Sequence, residues 1–297
     1  MGMAEKQILP VYVLFNIKER RKQNMKTILE NVRKNVPLVH FITNYVTVND
    51  VANMMLACGG SPIMSDEILD VEDITSICNA TVINIGTLNK NTIESMIAAG
   101  KKANETGHPV ILDPVGAGAS RLRTETTFRL LKEVKFSVIR GNISEIKTVY
   151  SGSGSTKGVD ADVADVVTDD NLAETAAFAK ELSKTTGAII AITGAIDVIA
   201  DAENAYAVRN GVAAMSKITG TGCMLDGVIA GYVAANPENR INAVVAAIAA
   251  EGLCGEIAAR KVEAEGSGTS SLRMHLIDAM STLDGKTLED GAKTERL

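Results

Sequence analysis

Residues 109–118 read Pro109-Val110-Ile111-Leu112-Asp113-Pro114-Val115-Gly116-Ala117-Gly118. A short apolar run closes on an aspartate, and a proline and two glycines then turn the chain. The run has the character of a strand covered on both faces. In open α/β sheets, ligands gather outside the carboxyl ends of the strands, where Asp113 falls. The glycines let the backbone pass close to a ligand. An aspartate that merely caps the next turn is an equally open reading.

The pattern recurs on both sides of this stretch. Val39–Thr43, Pro62–Met64 and Thr81–Gly86 precede it; Ser137–Arg140, Ala188–Thr193, Asp197–Ala200 and Ala205–Arg209 follow. Between these runs lie helical segments of crossover length: Val48–Ala57, Asp70–Cys78, Asn91–Thr106, Thr124–Glu133 and Asn171–Thr185. Strict alternation predicts an α/β fold with a largely parallel sheet and helices on both faces. After Gly211 only helices remain, and Met224–Ala235 and Ile241–Arg260 are apolar nearly all round. Such helices are buried in a large core or against another subunit.

No break in the pattern separates two cores, so residues 25–282 are expected to form one domain. Ser151–Asp170, with its Ser-Gly repeat and aspartates, reads as a surface loop; the spacing of Asp160, Asp162 and Asp165 is not that of a calcium loop. Residues 1–24 are expected to be a dispensable extension. Their apolar run Ile8–Phe15 is followed, not preceded, by the basic cluster Lys18, Arg20, Arg21 and Lys22, the wrong order for a secretory signal. Residues 283–297 are expected to be a polar, mobile tail.

Composition narrows the function classes. Hydrophobic residues make up 46% and charged residues 22% of the 297, with no Trp and only five Phe and five Tyr. The core must come from Ala, Val, Ile, Leu and Met. The charge of 30 − 36 = −6 argues against sequence-independent nucleic-acid binding, though not against nucleotides. Cys58, Cys78, Cys223 and Cys254 form no CxxC pair, which points to a reducing cytoplasm rather than a disulfide framework or zinc ribbon. The uncharged runs Gly227–Asn236 and Ala243–Ala250 fall short of the roughly 20 residues of a membrane span; Glu251 stops the second.

Five segments can carry chemistry. Gly220-Thr221-Gly222-Cys223 opens a helix, so its amides and the helix dipole can face an anion. Taken alone, it reads better as a plain loop-to-helix start. It lacks the Lys-Ser/Thr of a Walker loop. A thiol at this position is expected to have a lowered pKa. Arg140-Gly141-Asn142-Ile143-Ser144-Glu145 has the spacing of a capping box. In the functional reading, Asn142 and Glu145 hold a hydrated Mg²⁺ and Arg140 meets phosphate. Thr193, before Gly194, can donate to phosphate, though taken alone the pair is more often a strand-end turn. Asn44 follows the first strand, and Met64 ends the second, where its sulfur suits a flat heteroaromatic ligand, although a core methionine is the better default. Asp113 and Glu145 are both expected at strand ends outside the core. Four of the five segments sit at strand ends, the arrangement for a small substrate, a nucleotide and Mg²⁺ along one sheet edge.

As an ordered set, Asn44, Ser61-Pro62-Ile63-Met64, Asp113 to Gly118, Arg140 to Glu145, Lys157-Gly158-Val159-Asp160, Thr193-Gly194 and Gly220 to Cys223 resemble the hydroxyethylthiazole kinases of the ribokinase-like superfamily. The likeness runs from about Met25 to Ser281. It implies a three-layer α/β/α fold with a mainly parallel sheet and no separate lid domain. It implies a homotrimer with active sites between subunits, in the cytoplasm, and no nucleic-acid or membrane partner. The implied reaction is Mg²⁺-dependent transfer of the γ-phosphoryl of ATP to the hydroxyl of 4-methyl-5-(2-hydroxyethyl)thiazole, for thiamine synthesis. By matching motif, Met64, Gly220 and Asn44 would meet the thiazole. Arg140, Thr193, Asn142, Thr221 and Gly222 would meet ATP. Asp113 and Glu145 would serve the metal, and Cys223 would hold the catalytic-base position. Sugar-kinase relatives carry Asp there, so the Cys favours the thiazole branch. A pyrimidine or sugar kinase of the same superfamily, and a non-catalytic nucleotide-binding oligomer, are the alternatives.

Overall fold

The computed structural model describes residues 25–152 and 166–297. Residues 1–24 and the Lys157–Asp160 motif lie outside the described residues, as does most of the expected loop. Nine strands form one sheet: β1 (Leu38–Ile42), β2 (Ser61–Met64), β3 (Ala80–Asn84), β4 (Val110–Asp113), β5 (Val138–Gly141), β6 (Ile189–Ile192), β7 (Asp197–Ala200), β8 (Ala205–Val208) and β9 (Thr294–Arg296). Their spatial order is β2-β1-β3-β4-β5-β6-β7-β8-β9. Every pair from β2 to β6 is parallel; β6 to β9 is an antiparallel meander. All described strands belong to this sheet, so there is no separate lid among them.

Alternation along the strands explains the layers, because successive side chains point to opposite faces. Val82, Ile111, Ala191 and Ile199 enter one core, while Ile83, Leu112, Ile190 and Val198 enter the other. The first core is closed by α1 (residues 25–35), α2 (Val48–Cys58), α8 (Thr221–Ala235), α9 (Arg240–Glu265), α10 (Thr269–Thr282) and α11 (Gly285–Gly291). The second is closed by α3 (Val71–Ile77), α4 (Lys90–Thr106), α5 (Arg121–Glu133), α6 (Ile143–Gly152) and α7 (Leu172–Thr186). The expected three-layer α/β/α architecture is therefore present.

Two expectations need correction. Residues 283–297 are not a free tail. Leu283 and Leu288 are buried, the Arg209 N–H donates to the Lys293 carbonyl, and β9 pairs with β8. Polar composition there marks an edge strand, which protects itself with charge. The second concerns the apolar helices α8 and α9. One chain hides them without a partner: α8 packs on α2 and the sheet, and α9 lies between α8 and α10. The stretch Pro237–Glu265 is long and apolar enough to cross a membrane, but 83% of its most apolar window is buried inside the fold, as in a core helix.

Candidate active site

The chain leaves β1 for β2 on one side and returns to β3 on the other, so the strand order switches beside β1. A crevice at the carboxyl ends forms at such a point. The start of α8 lies against β1, β3 and β4 there. Asn84 ends β3 and Asp113 ends β4, paired in register. Asn84 Nδ2 donates to Asp113 Oδ2 at 2.5 Å and to Cys223 Sγ at 3.3 Å. Asn44, just past β1, donates from Nδ2 to the same sulfur at 3.0 Å. Its Oδ1 accepts from the Thr47 N–H and hydroxyl, which fixes the amide's orientation. From β5, Arg140 donates Nη2 to Asp113 at 2.8 Å and Nε to Asp226 at 2.9 Å. Asp226 lies one turn after Cys223 on α8.

Burial dominates the electrostatics. It pushes the Asp113 carboxyl well above the usual carboxylate range; Arg140 opposes this and Asp226 adds to it. The Arg140 cation is desolvated too, but Asp113 and Asp226 outweigh that and hold it charged. The Cys223 thiol is pushed up to about 11, by burial first and then by Asp226 and Asp113, with Arg140 opposing. The expectation of a lowered thiol pKa is thereby corrected: burial, aided by two nearby carboxyl groups, keeps the thiol protonated.

The α8 start is built for close approach. Gly220 has φ +88°, and a Cβ there would lie 2.4 Å from Thr47 Cγ2. A Cβ on Gly222 would lie 2.7 Å from Arg140 Nη1. The helix ladder begins with the Met224 N–H on the Gly220 carbonyl, so the amides of Thr221, Gly222 and Cys223 precede it. Thr221 and Gly222 share a cleft of about 550 Å³ with Thr193 and Gly194, walled by Val212, Met215, Leu225 and Ile248.

The residues singled out in the sequence fall into three groups. Asn44, Asp113, Arg140 and Cys223 meet in one cluster, and Thr193, Thr221 and Gly222 meet in the adjoining cleft. Asn142 joins neither. Its N–H donates to Glu145 Oε2 at 2.8 Å and its Oδ1 accepts the Glu145 N–H at 2.9 Å, so the capping box is real. Glu145 Oε1 accepts from the Gly116 N–H and ties the Asp113–Gly118 loop to α6. Met64, half-buried at the end of β2, borders the first core. Asp113 is fully buried rather than outside the core, because Arg140 and Asn84 enclose it.

Sequence reading missed Asn84, Asp226, Asp197 and Glu251. Asn84 closes an apolar strand, Asp197 opens one, and Asp226 and Glu251 are acids within apolar stretches of helix, all faint signals. For Mg²⁺, the structural test is the donor set. Asp113 Oδ1 is buried with no hydrogen-bond partner, and each Glu145 oxygen takes a single backbone N–H, so lone pairs remain. Two carboxylates suit a hard cation that keeps most of its waters.

The family model described as the hydroxyethylthiazole kinase family matches residues 29–286. A hydroxyethylthiazole kinase of Clostridium acetobutylicum is 59% identical over 271 residues, 91% of this chain and 99% of that one. The solved structure of hydroxyethylthiazole kinase from Pyrococcus horikoshii superposes with a TM-score of 0.82 at 31% identity, covering 93% of this chain and 99% of that chain. A ribokinase-like superfamily protein of Enterococcus faecalis shares the fold, at TM-score 0.60 and 14% identity over 88% of this chain and 95% of that one.

Proposed function

The chain belongs to the hydroxyethylthiazole kinase family, and from that premise we propose that it transfers the γ-phosphoryl group of ATP to the hydroxyl of 4-methyl-5-(2-hydroxyethyl)thiazole. The observation that carries the reading is the meeting of Cys223, Arg140 and Asp113 beneath the free amides of α8. The triphosphate would run along Thr193 and the amides of Thr221, Gly222 and Cys223. Donors fixed in advance stabilise charge that spreads over the transferring group without reorganising. The thiazole hydroxyl would sit at Cys223 Sγ, whose position Asn44 and Asn84 fix.

A protonated thiol orients the hydroxyl rather than stripping it. Loose phosphoryl transfer loses that proton late, so orientation and electrostatics carry more than a base. Arg140 adds positive charge below Gly222. Asp113 and Glu145 would hold Mg²⁺, which when bound neutralises charge on the phosphates.

We also propose a homotrimer with sites between subunits. The support is an apolar surface beside the site: Tyr45 (77% exposed), Val46, Ile68 and Leu69 (89%) lie on the loops after β1 and β2, next to Asn44 and Met64. The apolar surface that suits a subunit contact therefore lies on these loops rather than on α8 and α9. The test is steady-state phosphorylation by ATP of the thiazole alcohol, a hydroxymethylpyrimidine and ribose. Fastest turnover of the thiazole is expected; faster turnover of either other alcohol overturns the substrate. Light scattering that gives a monomer removes the shared site.

A further inference from the structure

Arg123 lies in the first turn of α5, its N–H held by the Ser120 cap, where the positive end of the helix dipole disfavours a cation. The residue is half-buried. Its guanidinium meets carbonyl oxygens instead of a carboxylate: Nη2 donates to the Gly86 carbonyl at 2.8 Å and Nη1 to the Val115 carbonyl at 3.3 Å. A half-buried cation set against the dipole, with no carboxylate to meet it among the described residues, breaks the local preferences of a helix start. Such breaks gather where function requires them.

Gly86 follows β3 and Val115 follows β4, so one guanidinium spans the loops at two neighbouring strand ends. The second loop is shaped to admit it. Gly116 has φ +70°, and a Cβ there would lie 2.2 Å from Arg123 Nη1. Each loop holds a group of the site. The Gly86 N–H donates to Asn84 Oδ1 at 2.9 Å, which turns the amide so that Nδ2 faces Asp113 and Cys223. The Gly116 N–H donates to Glu145 Oε1 at 2.8 Å. Through two glycine amides, Arg123 thus reaches both the side chain beside the thiol and the carboxylate proposed for the metal.

We infer that Arg123 is a positioning residue for the transfer step: it fixes the spacing of the loops after β3 and β4, so that Asn84 and Glu145 keep their places across the site. This role rests on the reading that the alcohol reacts at Cys223, and deepens it. A guanidinium presents its donors in a rigid plane, so two carbonyls bonded to it are held at a set separation. An ammonium is a point charge on a flexible stem and sets none. The donors proposed for ATP belong to other elements, Thr193 after β6 and Thr221 and Gly222 on α8, so loss of Arg123 leaves them in place. Misplaced reacting groups lower kcat rather than the hold on the nucleotide.

The experiment is steady-state phosphorylation by the full chain, with ATP and the alcohol varied in turn, for the wild type, Arg123→Met, Arg123→Lys and Arg123→Ala, and with Tm measured for each. Arg123→Met should lower kcat about a hundredfold, the scale of a small misplacement, with KM for ATP within about threefold of wild type. Arg123→Lys keeps the charge but not the fork, and its kcat should lie within about threefold of the Met variant. Millimolar guanidinium ion should raise kcat of Arg123→Ala about tenfold, and ethylammonium should not. A Lys variant close to wild type, or equal recovery by both ions, means that charge alone acts and overturns the inference. A raised KM for ATP at unchanged kcat overturns it too, because Arg123 would then be a phosphate contact. So does a lowered Tm with kcat per folded molecule unchanged, which leaves Arg123 a role in the fold alone. If Arg123→Met does not fold, the Lys variant decides. A wild type that phosphorylates the pyrimidine alcohol or ribose in place of the thiazole overturns only the substrate, and the same variants then read the role of Arg123 on that alcohol.

Discussion

Asp226 on α8 and Glu251 on α9 interrupt apolar stretches of two adjacent helices, and their exposures, 0% and 2%, are nearly the same. Their surroundings differ. Asp226 meets the Arg140 guanidinium at 2.9 Å, and that cation also holds Asp113. Glu251 has no hydrogen-bond partner among the described residues. The first acid is part of how strand ends and helix are joined. The second takes no part in any such joint. Burial alone does not separate acids that join elements from acids that do not; the presence or absence of a partner does.

The sharpest way to break this contrast is to make both residues apolar. Asp226→Leu strips one carboxylate from a buried cation, so it should cost about 3–5 kcal/mol, the usual penalty for breaking a buried pair. Glu251→Leu should stabilise. Thermal and urea melts read both directly. If the two substitutions destabilise alike, Glu251 has a structural partner and the contrast fails.

The next test compares Asp113 with Glu145. Asp113→Asn and Glu145→Gln should each lower kcat by about a hundredfold or more if both serve the metal and phosphates. Their melts should differ. Asp113→Asn weakens the hold on buried Arg140 and should lower Tm clearly. Glu145→Gln keeps an oxygen for one of its two backbone N–H donors, from Asn142 and Gly116, and should melt close to wild type. Wild-type turnover in either variant at saturating Mg²⁺ ends its assigned role.

What was legible in the sequence follows the same division. Strand runs, crossover helices and the segments around Asp113, Arg140 and Cys223 are local patterns, and they gave the layers and the sheet edge. The faint signals of Asn84 and Asp226 were not enough, because their roles depend on closeness between residues far apart in the chain; Asn84 is 142 residues from Asp226 yet 3.4 Å away in the fold. The tail was misread because a strand of three residues has too short a pattern to show pairing with β8. Helix α9 was read correctly as buried, but periodicity does not say whether the cover comes from the same chain or another.

Asp197 offers a milder test on the cleft's acidic side. Burial pushes its carboxyl up to about 7, with the Gly194 amide and Arg140 pulling the other way. Its unfolded value is near 4. Between those values the folded state holds a proton that the unfolded chain has lost, so stability should fall as pH rises from about 4 to about 7. Above that window this group adds no further change. Asp197→Asn should flatten the slope of unfolding free energy against pH in that interval. An unchanged slope would mean that Asp197 is ionised in the fold.

The smallest expected effect belongs to Cys223, although it occupies the point where the reaction is placed. Asn44 and Asn84 hold its sulfur, while Asp226 and Asp113 help keep the thiol protonated, with a pKa of about 11. A thiolate base of that pKa would make kcat rise tenfold per pH unit through the neutral range, since only the deprotonated fraction would work. A thiol that orients the hydroxyl gives no such rise. The expected profile is therefore flat in kcat between pH 7 and 9, with Cys223→Ala lower by about tenfold at every pH. Cys223→Asp should be worse than Ala, because it adds a third carboxyl group beside Asp113 and Asp226 in a buried site with one guanidinium. A wild-type profile that climbs with unit slope and becomes flat in the Ala variant would restore the base. An Asp variant faster than Ala would show that the cluster accepts another negative charge, and that Arg140 and the α8 amides offset more of it than their present partners suggest.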